Sequence, residues 1–193
     1  MELLHLSVGR LQTNCYIVWA EGSKTCAVID PGDEADRILK NIEDRGLTLE
    51  AVLLTHGHFD HVGAAKALNK KTGCEVYMNI KELALPGGLT AGPLYYTDPY
   101  KDHVTAGGLT FTVLETPGHS EGSICLLCGD VLFSGDTLFA GTCGRTDLPT
   151  GSWNKILASL KMLTKLPGDY TVYPGHGPKT TMNTERAENP CIE

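Results

Sequence analysis

The six residues His56-Gly57-His58-Phe59-Asp60-His61 carry three imidazoles and a carboxylate, directly after the apolar run Ala51-Val52-Leu53-Leu54. A short apolar run bounded by a polar turn reads as a buried strand, so the fold must place a strand's end and this cluster together at one edge of a sheet. Residues two apart on an extended segment face the same side, which lets His56 and His58 reach one ion together. Asp60 and His61 fall where the chain tightens toward a helix suggested by Val62-Gly63-Ala64-Ala65-Lys66-Ala67-Leu68, and this second pair aims at a neighbouring position. Imidazole nitrogen and carboxylate oxygen suit zinc, iron or manganese, and such a density of them has little use in an apolar core. The pattern predicts a metal site that can take two adjacent ions.

The 193 residues suit one domain, taken as 1–193, with a full core. Glycine and proline are spread between short apolar runs, and no linker, low-complexity tract or internal repeat divides the chain. No apolar stretch approaches the roughly 20 residues of a membrane span, so a membrane partner is not expected. The start, Met1-Glu2-Leu3-Leu4-His5, lacks a basic segment followed by an apolar one and does not read as a secretory signal. Seven cysteines without framework spacing then predict reduced thiols in the cytoplasm. Cys125 and Cys128 are three apart in a strand-like segment, which points them to opposite faces. The net charge of -7 and the absence of a Lys/Arg cluster argue against nucleic acid as the main substrate.

Asn14–Trp19 and Thr25–Ile29 read as a hairpin around Glu21-Gly22-Ser23. Ala35, Ile38, Leu39 and Ile42 repeat at helical spacing, with Asp33 expected as N-cap and Gly46 as stop. Further strands are expected at 51–54, 74–78, 109–113, 123–128, 131–133 and 171–173. A helix capped by Ser152 should carry Trp153, Ile156, Leu157, Leu160 and Leu163 on one stripe, and Asn183 to Glu188 should form a short terminal helix. Many strands with helices between and after them imply helices packed outside sheets, an α/β architecture.

Three later motifs each set one ligand type just past a strand: Thr116-Pro117-Gly118-His119-Ser120, Ser134-Gly135-Asp136-Thr137 and Tyr173-Pro174-Gly175-His176-Gly177-Pro178. Singly, His119 or His176 reads as a loop histidine and Asp136 as a turn cap; their shared placement points to one site. His5 and His103 are left to surface or packing roles.

The order T-H-x-H-x-D-H, T-P-G-H, G-D, P-G-H resembles the metallo-β-lactamase superfamily from the first strand to nearly the last residue. The resemblance implies an αβ/βα sandwich of two mixed sheets with helices on the outer faces and a binuclear site in loops along one edge. It also implies that His56, His58 and His119 hold one ion, that Asp60, His61 and His176 hold the second, and that Asp136 bridges them. Asp30 resembles a residue that supports the ligands from behind. Zinc is the first expectation for the two divalent ions, with iron or manganese as alternatives. Metal-assisted hydrolysis is the default chemistry of such a centre, with Asp60 orienting the attacking hydroxide.

The loop Gly141-Thr142-Cys143-Gly144-Arg145-Thr146-Asp147 looks most like glyoxalase II-like hydrolases, which cleave hydroxyacyl-glutathione thioesters. The residues after His176 are too few for the extra helical domain of full-length glyoxalase II, and its usual lysine and tyrosine are matched here by Arg145 and Asp147. Arg145 is the candidate for an anionic group of a small-molecule thioester, with an ion pair to Asp147 as the alternative. The same loop resembles persulfide dioxygenases, which would hold one iron through His56, His119 and Asp136. A β-lactamase ranks lower, and a non-catalytic metal or redox module acting with a partner stays open, as does a homo-oligomer. The irregular stretch 85–100 carries Tyr95, Tyr96 and Tyr100 and is expected to cover the site, Tyr95 and Tyr96 touching substrate.

Overall fold

The structure is a computed structural model and describes residues 1–90 and 92–192; Ala91, inside the stretch 85–100, lies outside the described residues. The first sheet contains β1 (Glu2–Val8), β2 (Thr13–Trp19), β3 (Thr25–Ile29), β4 (Thr48–Leu53), β5 (Glu75–Met78) and the short β6 (Asp98–Pro99), side by side in that order. β1, β2 and β3 are antiparallel neighbours, whereas β3 to β6 run parallel. The second sheet takes β7 (His103–Ala106), β8 (Leu109–Glu115), β9 (Ile124–Cys128) and β10 (Val131–Gly135) as an antiparallel meander. A small hairpin of β11 (Leu138–Phe139) and β12 (Thr142–Cys143) follows. β13 (Thr171–Pro174) then pairs parallel to β10, and β14 (Thr180–Thr181) closes the edge. Both sheets are therefore mixed.

Alternation along the strands explains the continuous apolar runs. Cys15 and Ile17, Cys26 and Val28, and Val52 and Leu54 face outward from the first sheet onto α1 (Ala35–Glu43) and α3 (Ala65–Thr72), through Ile38, Ile42 and Leu68. The intervening Tyr16, Val18, Ala27, Ile29, Ala51 and Leu53 meet Phe111, Ile124, Leu126 and Phe133 of the second sheet. On the far side, Cys125, Leu132 and Val172 pack under Leu160 and Leu163 of α4 (Trp153–Thr164). A strand buried on both faces has no polar side to show, so it reads as an unbroken hydrophobic run. Cys125 and Cys128 do face opposite sides, the first toward α4 and the second between the sheets.

Two helix starts illustrate the limits of local signals. Ser152 caps α4 as expected, its hydroxyl accepting from the Lys155 amide at 3.4 Å. Asp33 does not cap α1: its carboxylate accepts from Glu34 N at 2.6 Å, and Glu34 itself occupies the cap position at φ 59 without a side-chain bond to a backbone amide of the first turn. Glu34 is drawn away by Gly9 N and Arg37. The helix expected after the histidine cluster begins earlier, as α2 (Phe59–Val62), and resumes as α3 beyond Gly63 and Ala64. The terminal helix is α5 (Met182–Glu188).

Candidate metal centre

Parallel pairing of β3 with β4 sets Ile29 opposite Leu53, so the segments that follow, with Asp30 and His56, leave the first sheet at the same edge. In the second sheet β8, β10 and β13 end on the matching side and deliver His119, Asp136 and His176. The edges are stitched together by Ile124 N donating to Thr55 O and Asn14 N donating to Gly175 O. Asn14 Nδ2 donates to the carbonyls of Pro174 and Gly177, and Tyr16 Oη to that of Pro174. Residues of β2 thereby grip the loop that presents His176.

All seven sequence-expected donors converge. His58 Nδ1 and His119 Nε2 lie 2.8 Å apart, and with His56 they form one group whose donor atoms fall within 4.8 Å of one another. Asp60, His61 and His176 form a second such group. Asp136 stands between them, its Oδ1 3.4 Å from His61 Nε2 and its Oδ2 3.5 Å from His119 Nε2.

Behind the donors, hydrogen bonds fix which nitrogen each ring turns inward. His61 Nδ1 donates to Asp30 Oδ2 at 2.9 Å and His119 Nδ1 donates to Arg145 O at 2.8 Å, leaving both Nε2 atoms facing the cluster. Thr55 Oγ1 donates to Asp30 Oδ2 at 2.6 Å and so can accept from His56 Nδ1, 3.1 Å away. Asp30 thus supports two rings, one directly and one through Thr55, from a left-handed backbone at φ 49. Outer hydrogen bonds of this type orient ligands and raise their basicity.

The donor set fits a metal. His56 Nε2 and Asp136 Oδ1 are buried and meet no hydrogen-bond partner, a costly arrangement for polar atoms unless a cation completes it. Burial first, and then the neighbouring imidazoles, push His56 well below the ordinary histidine value and His58 down to about 4, so both stay neutral as ligands must. Burial also lowers His119. His61 goes the other way: burial opposes its charge, but Asp136 and Asp30 outweigh that and raise it to about 9. The hydrogen bond with Asp60 raises His176. For Asp60, burial works against ionisation, yet the bond with His176, the charge of His61 and the Thr13 hydroxyl hold it well below the carboxylate range.

Five of the donors, His58, Asp60, His119, Asp136 and His176, floor a cavity of about 380 Å³ whose walls are Leu11, Phe59, Leu89, Phe139 and Leu148, with Arg145 at its side. Arg145 does reach the cavity, but its guanidinium holds Asp147 through two bonds of 2.7 and 2.8 Å. The tyrosines expected to touch substrate do not line it. Tyr95 and Tyr96 pack on the outer face of the first sheet, and Tyr95 Oη donates to Asn69 at 2.5 Å while Lys66 lies over its ring. Leu89 is the residue of that loop at the cavity, held by Phe59 N donating to its carbonyl. Of the remaining histidines, His5 bonds Asn14 and His103 is exposed at the far sheet edge.

Sequence reasoning missed Glu82. Its buried carboxylate accepts from Gly57 N, Ser120 Oγ and Gly122 N at 2.5, 2.7 and 2.7 Å, joining the loop of His58 to the loop of His119. It lies on a single 3₁₀ turn, Ile80–Ala84, and only the tertiary fold brings its partners near. Glu185 and Asn189 were missed too: they hold the β11–β12 hairpin through Gly141 N, Phe139 O and Thr142 O.

The family model described as Metallo-beta-lactamase superfamily matches residues 8–176. Hydroxyacylglutathione hydrolase GloC of Haemophilus influenzae is 35% identical over 209 residues, covering 100% of this chain and 98% of that protein. The crystal structure of the BLEG-1 B3 metallo-beta-lactamase is similar at a TM-score of 0.88 and 35% identity, covering 98% of both chains. TTHA1623 in a di-iron-bound form matches at 0.87 and 38%, covering 98% of this chain and 100% of its own.

Proposed function

The chain belongs to the metallo-beta-lactamase superfamily and has its fold, and from that membership we propose a binuclear hydrolase that cleaves a thioester such as S-lactoylglutathione. Two three-residue donor groups meeting at Asp136 carry the binuclear part of this reading. In it, His56, His58 and His119 hold one ion, Asp60, His61 and His176 the other, and Asp136 spans both. Zinc is the first choice, and the di-iron form of a 38% identical protein supports iron as the alternative. Divalent ions here would lower the pKa of a bound water to about 7 and polarise a carbonyl.

The chain's own residues supply the rest. Asp60 stays ionised, so it can accept a proton or hydrogen bond from the attacking water. Imidazoles that hold a metal ion are neutral and poor general acids, which suits a leaving group that departs as an anion. A thiolate, with a parent pKa of about 8.5, does so far more readily than an amine. The likeness to GloC over the whole chain supports the same bond type. Arg145 would pair with an anionic group of the substrate by releasing Asp147. The seven free cysteines suit a reducing compartment and hence action in the cytoplasm, and among the described residues no helix is long and apolar enough to cross a membrane.

The test is metal analysis by plasma mass spectrometry on protein purified without added metal, beside an S-lactoylglutathione assay. Two equivalents of metal with thioester cleavage are expected. One equivalent of iron with oxygen uptake on glutathione persulfide would replace the hydrolase by a dioxygenase.

A further inference from the structure

Large apolar side chains are exposed in few places on this surface, and two of them, Leu11 at 53% and Phe59 at 48%, stand at the mouth of the donor cavity. Exposed apolar area costs free energy, and where it gathers around a concave site it marks what the site receives. Leu89, Phe139 and Leu148 continue the surface inward.

These walls are built rather than draped. Phe59 sits on the first turn of α2, next to Asp60, and its amide is fixed by Leu89 O. On the opposite wall the Phe139 ring stands edge-on to His176, with centroids 6.4 Å apart, so the apolar surface begins where the donors end. Its hairpin is held from behind by Asn189, which donates to Phe139 O and Thr142 O. The charged side of the cavity is sparse by comparison. Glutathione carries two carboxylates and an ammonium group, whereas Arg145 is the single cationic side chain among the described lining residues, and it already holds Asp147.

We propose that the thioester taken by this site carries an alkyl or aryl group beside the scissile bond, seated on Phe59, Leu89, Phe139 and Leu148, and that this group rather than the glutathione peptide sets specificity. The inference rests on the hydrolase reading for its reaction. Water adds to the carbonyl, the carbon–sulfur bond breaks, and the products are a carboxylic acid and a thiol, with no oxidant or reductant involved.

The test uses metal-loaded protein and four thioesters that cross acetyl or phenylacetyl with glutathione or benzyl thiol. A phenyl group on one side of the bond should lower KM about tenfold or more relative to S-acetylglutathione. Phe59→Ala and Phe139→Ala should each remove most of that preference, while Trp153→Ala, an exposed aromatic on α4 outside this cavity, should retain it. Calorimetric binding of benzyl thiol against 2-mercaptoethanol to the same protein gives a second reading that needs no turnover, with tighter binding of the aromatic thiol expected by a similar factor. Equal KM values across the series together with equal thiol affinities would overturn the proposal and leave hydrolysis standing. Selective binding of benzyl thiol, lost in Phe139→Ala, without cleavage of any thioester would uphold the apolar site and overturn the hydrolase.

Discussion

His61 Nδ1 donates a buried hydrogen bond of 2.9 Å to Asp30 Oδ2, the same oxygen that accepts from Thr55 Oγ1. The bond turns His61 Nε2 toward Asp60, Asp136 and His176, and removing the carboxylate would free the ring to flip. Asp30→Asn tolerates the left-handed backbone that Asp30 adopts, so it isolates the charge; Asp30→Ala adds backbone strain. Asn should lower metal affinity roughly 10- to 100-fold, and Ala should lower the melting temperature further. Competition with a chromophoric chelator and a thermal melt separate the two effects, and unchanged affinity in Asp30→Asn would refute the orienting role.

Metal uptake should release a proton. In the metal-free protein the His61 pKa is raised to about 9, first by Asp136 and then by Asp30, against the effect of burial. At neutral pH the ring is therefore charged, and it must become neutral to bind metal. Affinity should climb as pH rises toward 9, and calorimetric heats at pH 7 should scale with the ionisation enthalpy of the buffer. Heats independent of buffer would contradict a protonated His61.

Burial raises the Glu82 carboxyl above its ordinary 4.5, against the pull of Ser120, Gly57 and Gly122. A folded acid with a raised pKa holds its proton where the unfolded one has lost it. Its contribution to stability accordingly declines as pH climbs from 4.5 through the folded value, and is level above it. That decline should be absent in Glu82→Gln, which should also be less stable by about 1 to 3 kcal/mol because the amide cannot accept all three donors. Urea denaturation at several pH values compares the slopes.

Gly175 has no space for a side chain: a Cβ there would stand 2.3 Å from Asp136 Oδ1 and 2.6 Å from His61 Cε1. Gly175→Ala must displace Asp136, which stands between the two donor groups, and His61 of the second. Overpacking of this kind costs about 1 to 3 kcal/mol, and the variant should retain its circular dichroism while binding less than the parent's complement of metal. Full metal content would show that the loop can yield.

How much of this was legible beforehand depends on how local each signal is. His56, His58, Asp60 and His61 sit within six residues, and their strand announces itself by an apolar run, so the cluster could be read directly. His119, Asp136 and His176 became legible together because each follows a strand end and a turn. Tyr95 and Tyr96 were misplaced because an irregular segment has no periodicity to tell its two sides apart; one side feeds Leu89 to the cavity and the other packs the tyrosines outside. Glu82 gave no signal, since all three of its partners lie 25 to 40 positions away. β1 lies at the sheet edge and β14 has two residues, too little pattern for either to stand out.

Each of the two donor groups that Asp136 stands between takes two residues from the first half of the chain and one from the second: His56 and His58 with His119, Asp60 and His61 with His176. An ion in either group is therefore a rivet driven through both sheets at one edge, while the opposite edge is held by apolar packing and by the hydrogen bonds of Gly107 with Ala20 and Glu50. Chelation should loosen the molecule asymmetrically, the riveted edge gaining hydrogen exchange first in the loops after β4 and β13. Whatever fills the site for chemistry would also set how firmly the two halves of the sandwich stay shut.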